Sequence, residues 1–173
     1  MNNKQLQLPD AEKLFTDLAN KIQPDINANI ALVGVRTGGV WLAQRLHQEL
    51  GLTLPLGILD ISFYRDDFDR IGLHPKVKPS EIPFEVTDSH IILVDDILYT
   101  GRTIRAAINE LFDYGRPASI RLAILVDRGE RELPIAAQYI GTKLSLPSGK
   151  MLNLQQGDDG KLGLSLYDKQ PLA

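Results

Sequence analysis

Two adjacent carboxylates, Asp95 and Asp96, follow the apolar run Ile91-Ile92-Leu93-Val94 and precede Ile97-Leu98-Tyr99-Thr100-Gly101-Arg102-Thr103. The run is short, continuous and rich in β-branched residues, the pattern of a strand buried on both faces. From Thr103 onward, Ile104, Ala107, Ile108, Leu111 and Phe112 are apolar at helical spacing. The Thr-Gly-Arg-Thr turn therefore falls at a helix N-terminus. Free amides and a dipole worth about half a positive charge favour an anion there, and a phosphate fits. Carboxylates do not attract phosphate, so Asp95 and Asp96 have a different task. They hold sugar hydroxyls directly, or a hydrated Mg²⁺ that bridges to the ligand.

A second strand–loop–helix unit lies earlier in the chain. Ile30-Ala31-Leu32-Val33 reads as a buried strand running into Gly34-Val35-Arg36-Thr37-Gly38-Gly39. A helix follows through Val40, Trp41, Ala43, Leu46 and Leu50. Glycines in such a turn let backbone amides approach a ligand closely. Alone, the turn is better read as a tight connection; beside the Asp95–Thr103 stretch it reads as a second phosphate loop.

With these residues in hand, the central stretch resembles the phosphoribosyl-pyrophosphate (PRPP) signature of type I phosphoribosyltransferases. Val94-Asp95-Asp96-Ile97-Leu98-Tyr99-Thr100-Gly101-Arg102-Thr103 is similar to the PyrR family of pyrimidine-operon regulators that double as uracil phosphoribosyltransferases. Paired aspartates after a strand also occur in response-regulator receivers, but there the pair opens its domain. Here it is mid-chain and a phosphate-type loop follows at once.

The resemblance implies an α/β fold with a central, mostly parallel sheet flanked by helices, a mobile lid loop and a small hood. It implies that Asp95 and Asp96 act catalytically on the ribose, and that Leu98, Tyr99, Thr100, Gly101, Arg102 and Thr103 anchor the 5′-phosphate. Arg36, Thr37 and Gly38 would hold the diphosphate. The family usually carries an arginine after that threonine; Gly38 stands in its place. Mg²⁺ would be held mainly by substrate, with Asp95 or Asp96 as a protein ligand. The alternative is the same fold acting on another base, orotate or a purine.

The remaining elements must position those loops. Asp10 is a fitting N-cap for an amphipathic helix through Leu14, Phe15, Leu18, Ala19 and Ile22, stopped by Pro24. Leu56 to Tyr64 alternates as a strand. From Arg65 to about Pro83 the chain turns polar, and a long polar insertion in a compact domain is functional or disordered. The resemblance makes it the lid, with Arg65 a phosphate contact on closure; His74 reads as a surface residue. Gly115 and Pro117 stop the helix after the central stretch.

Ile120 to Val126 is the next strand, ending in Asp127-Arg128-Gly129-Glu130-Arg131-Glu132-Leu133-Pro134. Ligands of parallel sheets sit beyond the carboxyl ends of strands. The wording of this loop is close to the family's base-binding region, so the resemblance makes backbone groups of Val126, Asp127 and Arg128 the expected base readers. Arg128 equally suits a pairing with Glu130 or Glu132, or an oligomer interface. Tyr139 to Leu144 gives a last sheet strand, and Met151–Gln155 and Leu162–Tyr167 flank a Gly157-Asp158-Asp159-Gly160 turn as a hairpin. By resemblance, residues 145–173 form the hood.

Composition limits the alternatives. A chain of 173 residues fits one domain spanning 1–173. The absence of cysteine excludes disulfides and thiolate metal sites, and fits a cytoplasmic setting. No apolar run reaches the ~20 residues of a membrane span, and Met1-Asn2-Asn3-Lys4-Gln5 lacks the apolar core of a secretory signal. The net charge of −3 supplies no global field toward nucleic acid. No membrane partner is expected, and the resemblance implies PRPP, uracil and UMP as ligands. The resemblance adds a pyr leader mRNA and a homodimer or higher oligomer.

Overall fold

The computed structural model describes residues 6–61 and 79–169. Helix α1 (Ala11–Ile22) starts as its cap residue dictates: the Asp10 carboxylate accepts the Glu12 and Lys13 amides at 2.8 and 3.2 Å. A short 3₁₀ turn, Gln23–Asp25, carries Pro24 and leads to β1 (Ile30–Val35), which is buried throughout. Helix α2 (Gly38–Glu49) and β2 (Gly57–Leu59) follow, then β3 (His90–Leu98), α3 (Arg102–Tyr114), β4 (Ser119–Asp127) and β5 (Tyr139–Lys143). Strands β6 (Lys150–Gln156) and β7 (Leu162–Asp168) close the described chain.

The five-stranded sheet has the order β2-β1-β3-β4-β5, and every pairing within it is parallel. Strands β6 and β7 form a separate antiparallel hairpin. Strand alternation divides the apolar residues between two cores. Ile30, Leu32, Ile92, Val94, Ala123 and Leu125 face α1, α2 and the hairpin. Val33, Val35, Ile91, Leu93, Leu122 and Ile124 face α3. This is the period of two that a sheet covered on both sides requires.

The strand order also sets where a ligand can bind. From β1 the chain crosses through α2 outward to β2; from β3 it crosses through α3 in the other direction, to β4. The two crossovers lie on opposite faces, so the loops after β1 and β3 diverge and leave a crevice at this topological switch point. Both phosphate-type loops flank it.

Three expectations are corrected. The strand expected over Leu56–Tyr64 is only Gly57–Leu59, because its partner β1 ends at Val35, opposite Leu59; Ser62 to Tyr64 lie outside the described residues. Strand β3 does not stop before the carboxylates: it runs to Leu98 because β4 accompanies it to Asp127. Phe112, expected on the apolar face of α3, is 53% exposed. No helix among the described residues is long and apolar enough to cross a membrane.

Candidate active site

At the crevice, the start of α2 lies directly against the end of β3. A Cβ built at Gly38 would sit 2.3 Å from Asp96 Oδ2. One at Gly39 would sit 2.5 Å from the Val94 carbonyl oxygen and 2.9 Å from Asp95 Cα. Glycine here permits close approach of a helix end to a strand end. At Gly38 the space a Cβ would take is occupied by the Asp96 carboxylate. Of the expected diphosphate residues, Arg36 lies just before α2, with its Nε buried 3.9 Å from Asp60 Oδ2 and its amide donating to the Leu59 carbonyl. The Arg36–Thr37 peptide is cis, and Thr37 and Gly38 open α2.

The two aspartates differ. Asp95 is buried at 5% exposure, and its Oδ1 accepts the Asp96 amide at 2.9 Å. Asp96 is half-buried, and its Oδ1 accepts the Ile97 amide at 2.8 Å, leaving Oδ2 toward Gly38.

Leu98, Tyr99, Thr100 and Gly101 turn the chain from β3 into α3. Gly101, the cap residue, has φ +93°, a left-handed conformation that glycine adopts at little cost. Thr100 Oγ1 accepts the Arg102 amide at 3.2 Å, and Thr103 lies in the first turn of the helix. The anion-type turn thus stands at a helix start, as its sequence requires.

This turn is braced from the far side by residues 128–133. The Leu98 carbonyl accepts the Arg128 amide at 3.0 Å, and the Thr100 carbonyl accepts the amides of Glu132 and Leu133 at 2.9 and 3.1 Å. Arg131 Nη1 donates to the Tyr99 carbonyl at 2.7 Å, and its Nε to Ile135 at 3.0 Å. Asp127 in turn holds Arg131, with the Gly129 amide adding a third hydrogen bond to the carboxylate. Burial pushes the Asp127 carboxyl upward, but the Arg131 and Gly129 hydrogen bonds outweigh it and keep the group below its ordinary value. Arg131 was not singled out in the sequence. Its spacing of four from Asp127 was the only signal, because its other partners are main-chain carbonyls.

Val126, Asp127 and Arg128, the expected base readers, are brought to one place but with fewer free groups than expected. Val126 lies in the ladder between β3 and β5. The Asp127 carbonyl accepts the Leu144 amide, and the Arg128 amide is the one spent on Leu98. The Arg128 side chain is buried, stacked 3.9 Å from the Tyr99 ring centroid, with Nη1 3.1 Å from Met151 Sδ and Nη2 3.2 Å from Glu130. Beside this stack opens a cavity of about 410 Å³, walled by Tyr99, Arg128, Glu130, the turn 146–150 and Lys169. Arg65 and the lid from 65 to 78 lie outside the described residues.

A model of the phosphoribosyl transferase domain matches residues 3–148. The bifunctional protein PyrR of Nitrosococcus oceani is 50% identical over 157 residues, 90% of this chain and 89% of that one. The chain belongs to the type I phosphoribosyltransferases, in their PyrR family. The bifunctional protein PyrR of Pseudomonas syringae pv. syringae is 46% identical over 171 residues, covering 94% of this chain and 97% of its own. Among solved structures, a hypoxanthine-guanine phosphoribosyltransferase from Bacillus anthracis superposes with a TM-score of 0.64 at 21% identity, over 81% of this chain and 84% of that one. A purine phosphoribosyltransferase from Pyrococcus horikoshii gives 0.60 at 25% identity, over 80% and 85%. These two share the fold.

Proposed function

We propose that this chain transfers the phosphoribosyl group of PRPP to uracil, giving UMP and diphosphate. One observation carries the reading: the start of α2 abuts the β3 carboxylates at the switch-point crevice, through Gly38 against Asp96 and Gly39 against Asp95, and the same strand runs on through Gly101 into the start of α3. A diphosphate at one helix start and a 5′-phosphate at the other would place a ribose over Asp95 and Asp96.

A uracil nitrogen attacks C1 of the ribose, the bond to the diphosphate oxygen breaks with its electron pair leaving on that oxygen, and the nitrogen's proton passes to solvent. Positive charge accumulates on the ribose in the transition state, so positioning and electrostatics accomplish most of the catalysis. Asp96 faces the ribose and Asp95 stiffens the strand end beneath it. Leu98, Tyr99, Thr100, Gly101, Arg102 and Thr103 hold the 5′-phosphate, since the carbonyls of 98–100 are drawn to the opposite side by residues 128–133. Arg36, Thr37 and Gly38 take the diphosphate, and Arg65 adds a phosphate contact.

The donor set suits Mg²⁺ held chiefly by substrate. No group of three or more His, Cys, Asp or Glu among the described residues forms a metal cage. Mg²⁺ retains waters and needs only one or two carboxylates beside phosphate oxygens, and Asp95 or Asp96 would supply one. When bound, the ion neutralises the departing diphosphate.

The acceptor base occupies the cavity walled by Tyr99, Arg128 and Glu130, with Val126 and Asp127 holding Arg128 from the strand end behind it and the β6–β7 hairpin as its hood. The working form is a cytoplasmic homodimer or higher oligomer, for which exposed Phe112 and Tyr114 provide apolar surface. Incubation with PRPP, Mg²⁺ and a panel of bases should release diphosphate with uracil. Release only with orotate or a purine base would replace uracil as the acceptor.

Regulation of a pyrimidine operon through its leader mRNA is the second reading, and the bifunctional naming of relatives supports it. Arg128 and Arg131 point inward, so phosphate contacts to RNA must come from other basic residues. Leader RNA binding that strengthens with UMP and weakens between two salt concentrations would support this role; binding without either dependence would remove it.

A further inference from the structure

Glu12 is remote from the crevice in sequence, yet one carboxylate joins three elements. Arg45 of α2 donates in parallel, Nη1 to Oε1 at 2.9 Å and Nη2 to Oε2 at 2.8 Å. The guanidinium lies 4.1 Å from the centroid of the Phe15 ring of α1. Glu12 Oε1 also accepts the amide of Leu162, the first residue of β7, at 2.7 Å. Planar two-point pairing of this kind fixes orientation as well as distance.

Leu162 opposes Gln156 at the turn end of the hairpin. At the other end Lys150 opposes Asp168 and Met151 opposes Tyr167. That end walls the 410 Å³ cavity, with Met151 Sδ on Arg128. An isolated two-stranded hairpin is marginal by itself, so its pose depends on what holds its ends. At ~3.3 Å per residue the two ends are about 20 Å apart, and a tilt of roughly 5° at one moves the other by nearly 2 Å. Displacements of that size matter for substrate alignment.

We infer that Glu12, fastened to Arg45 and to the Leu162 amide, is a positioning residue for the acceptor side of the site. It sets the angle at which the hairpin presents Lys150 and Met151 to the Tyr99–Arg128 wall. The inference rests on the uracil-transfer reading. Glu12 itself touches no reacting atom. The core under the hairpin (Leu152, Leu154 and Leu162) does not include it, so its loss loosens the pose without removing the hairpin.

The test is steady-state kinetics of the full chain with Glu12→Ala and Glu12→Gln, with hydrogen exchange at the Leu162 amide. Glu12→Ala should raise KM for uracil about fivefold while kcat and KM for PRPP stay within about twofold, the signature of altered acceptor binding alone. Glu12→Gln, which keeps an acceptor for Leu162 but loses the charged pairing, should lie between. It carries the same measurement if the alanine variant does not fold. Exchange at Leu162 should quicken in the order wild type, Gln, Ala. An unchanged KM for uracil, or both KM values rising together, overturns the inference. A wild-type chain that releases no diphosphate with any base overturns the transfer reading instead.

Discussion

Asp127 and Arg131 face each other one helical turn's spacing apart in sequence, although neither is in a helix, with Arg131 Nη2 2.7 and 2.6 Å from the two carboxylate oxygens. The pair stands between the end of β4 and the turn after β3. Asp127→Asn should cost about 2 kcal/mol in urea unfolding, the scale of a charge-assisted hydrogen bond lost in a buried setting. The same variant should weaken PRPP binding, because Arg131 would no longer be aimed at Tyr99.

The pH dependence of that pair has a definite sign. The Asp127 carboxyl lies below its ordinary value of 3.8 in the folded chain. Its contribution to stability is therefore complete above that value and disappears as pH falls through the lower folded one. Thermal melts below pH 4 should show a decline in Tm that is smaller in Asp127→Asn. Equal declines in the two proteins would assign the effect to other carboxylates.

Asp96→Asn should separate function from fold. The side chain is half-buried, so unfolding free energy should change by no more than about 0.5 kcal/mol. Turnover should fall at least about a hundredfold, as when one electrostatic stabiliser of a transition state is removed. Asp95→Asn should lower both turnover and stability, because that side chain is buried. Diphosphate release and urea titration on the two variants distinguish them.

Gly38→Ala tests the contact between α2 and β3. The added methyl would meet Asp96 Oδ2 at 2.3 Å, so the carboxylate must swing away. Turnover should fall, and Tm with it, since the methyl would also come to 2.8 Å of Asp96 Cγ and 3.0 Å of its Cβ, which a rotamer change alone does not move. A variant of full activity would show that Asp96 works from another rotamer.

The local parts of this site were legible in the sequence because each is made by neighbours in the chain. Asp95, Asp96 and the Thr100–Thr103 turn depend on a strand giving way to a helix; the strand announces itself by a continuous β-branched run and the helix by its periodicity. The extent of the strands was not legible. Where β2 stops is decided by the end of β1, and where β3 stops by β4, and a pattern of side chains does not report its partner's length. Arg131 and Glu12 escaped for a related reason. Apart from Asp127, Arg131 bonds main-chain carbonyls, and Glu12 bonds an amide and a side chain from distant segments; such partners carry no signature in the residue types around them. Phe112 had a spacing compatible with the core, but the buried residues of α3 are Ile104, Ala106, Ala107 and Leu111, and Phe112 lies outside that face.

Residues 128–133 bear on two features at once: Arg128 and Glu130 wall the cavity proposed for the acceptor, and the amides of 128, 132 and 133 support the turn proposed to hold the phosphate. A lineage that altered its choice of base by substitution there would also disturb its grip on the sugar phosphate. Replacements in the turn 146–150 carry no such penalty. Divergence in acceptor among descendants of this scaffold should accordingly accumulate at the root of the hairpin, while the segment after β4 stays nearly still.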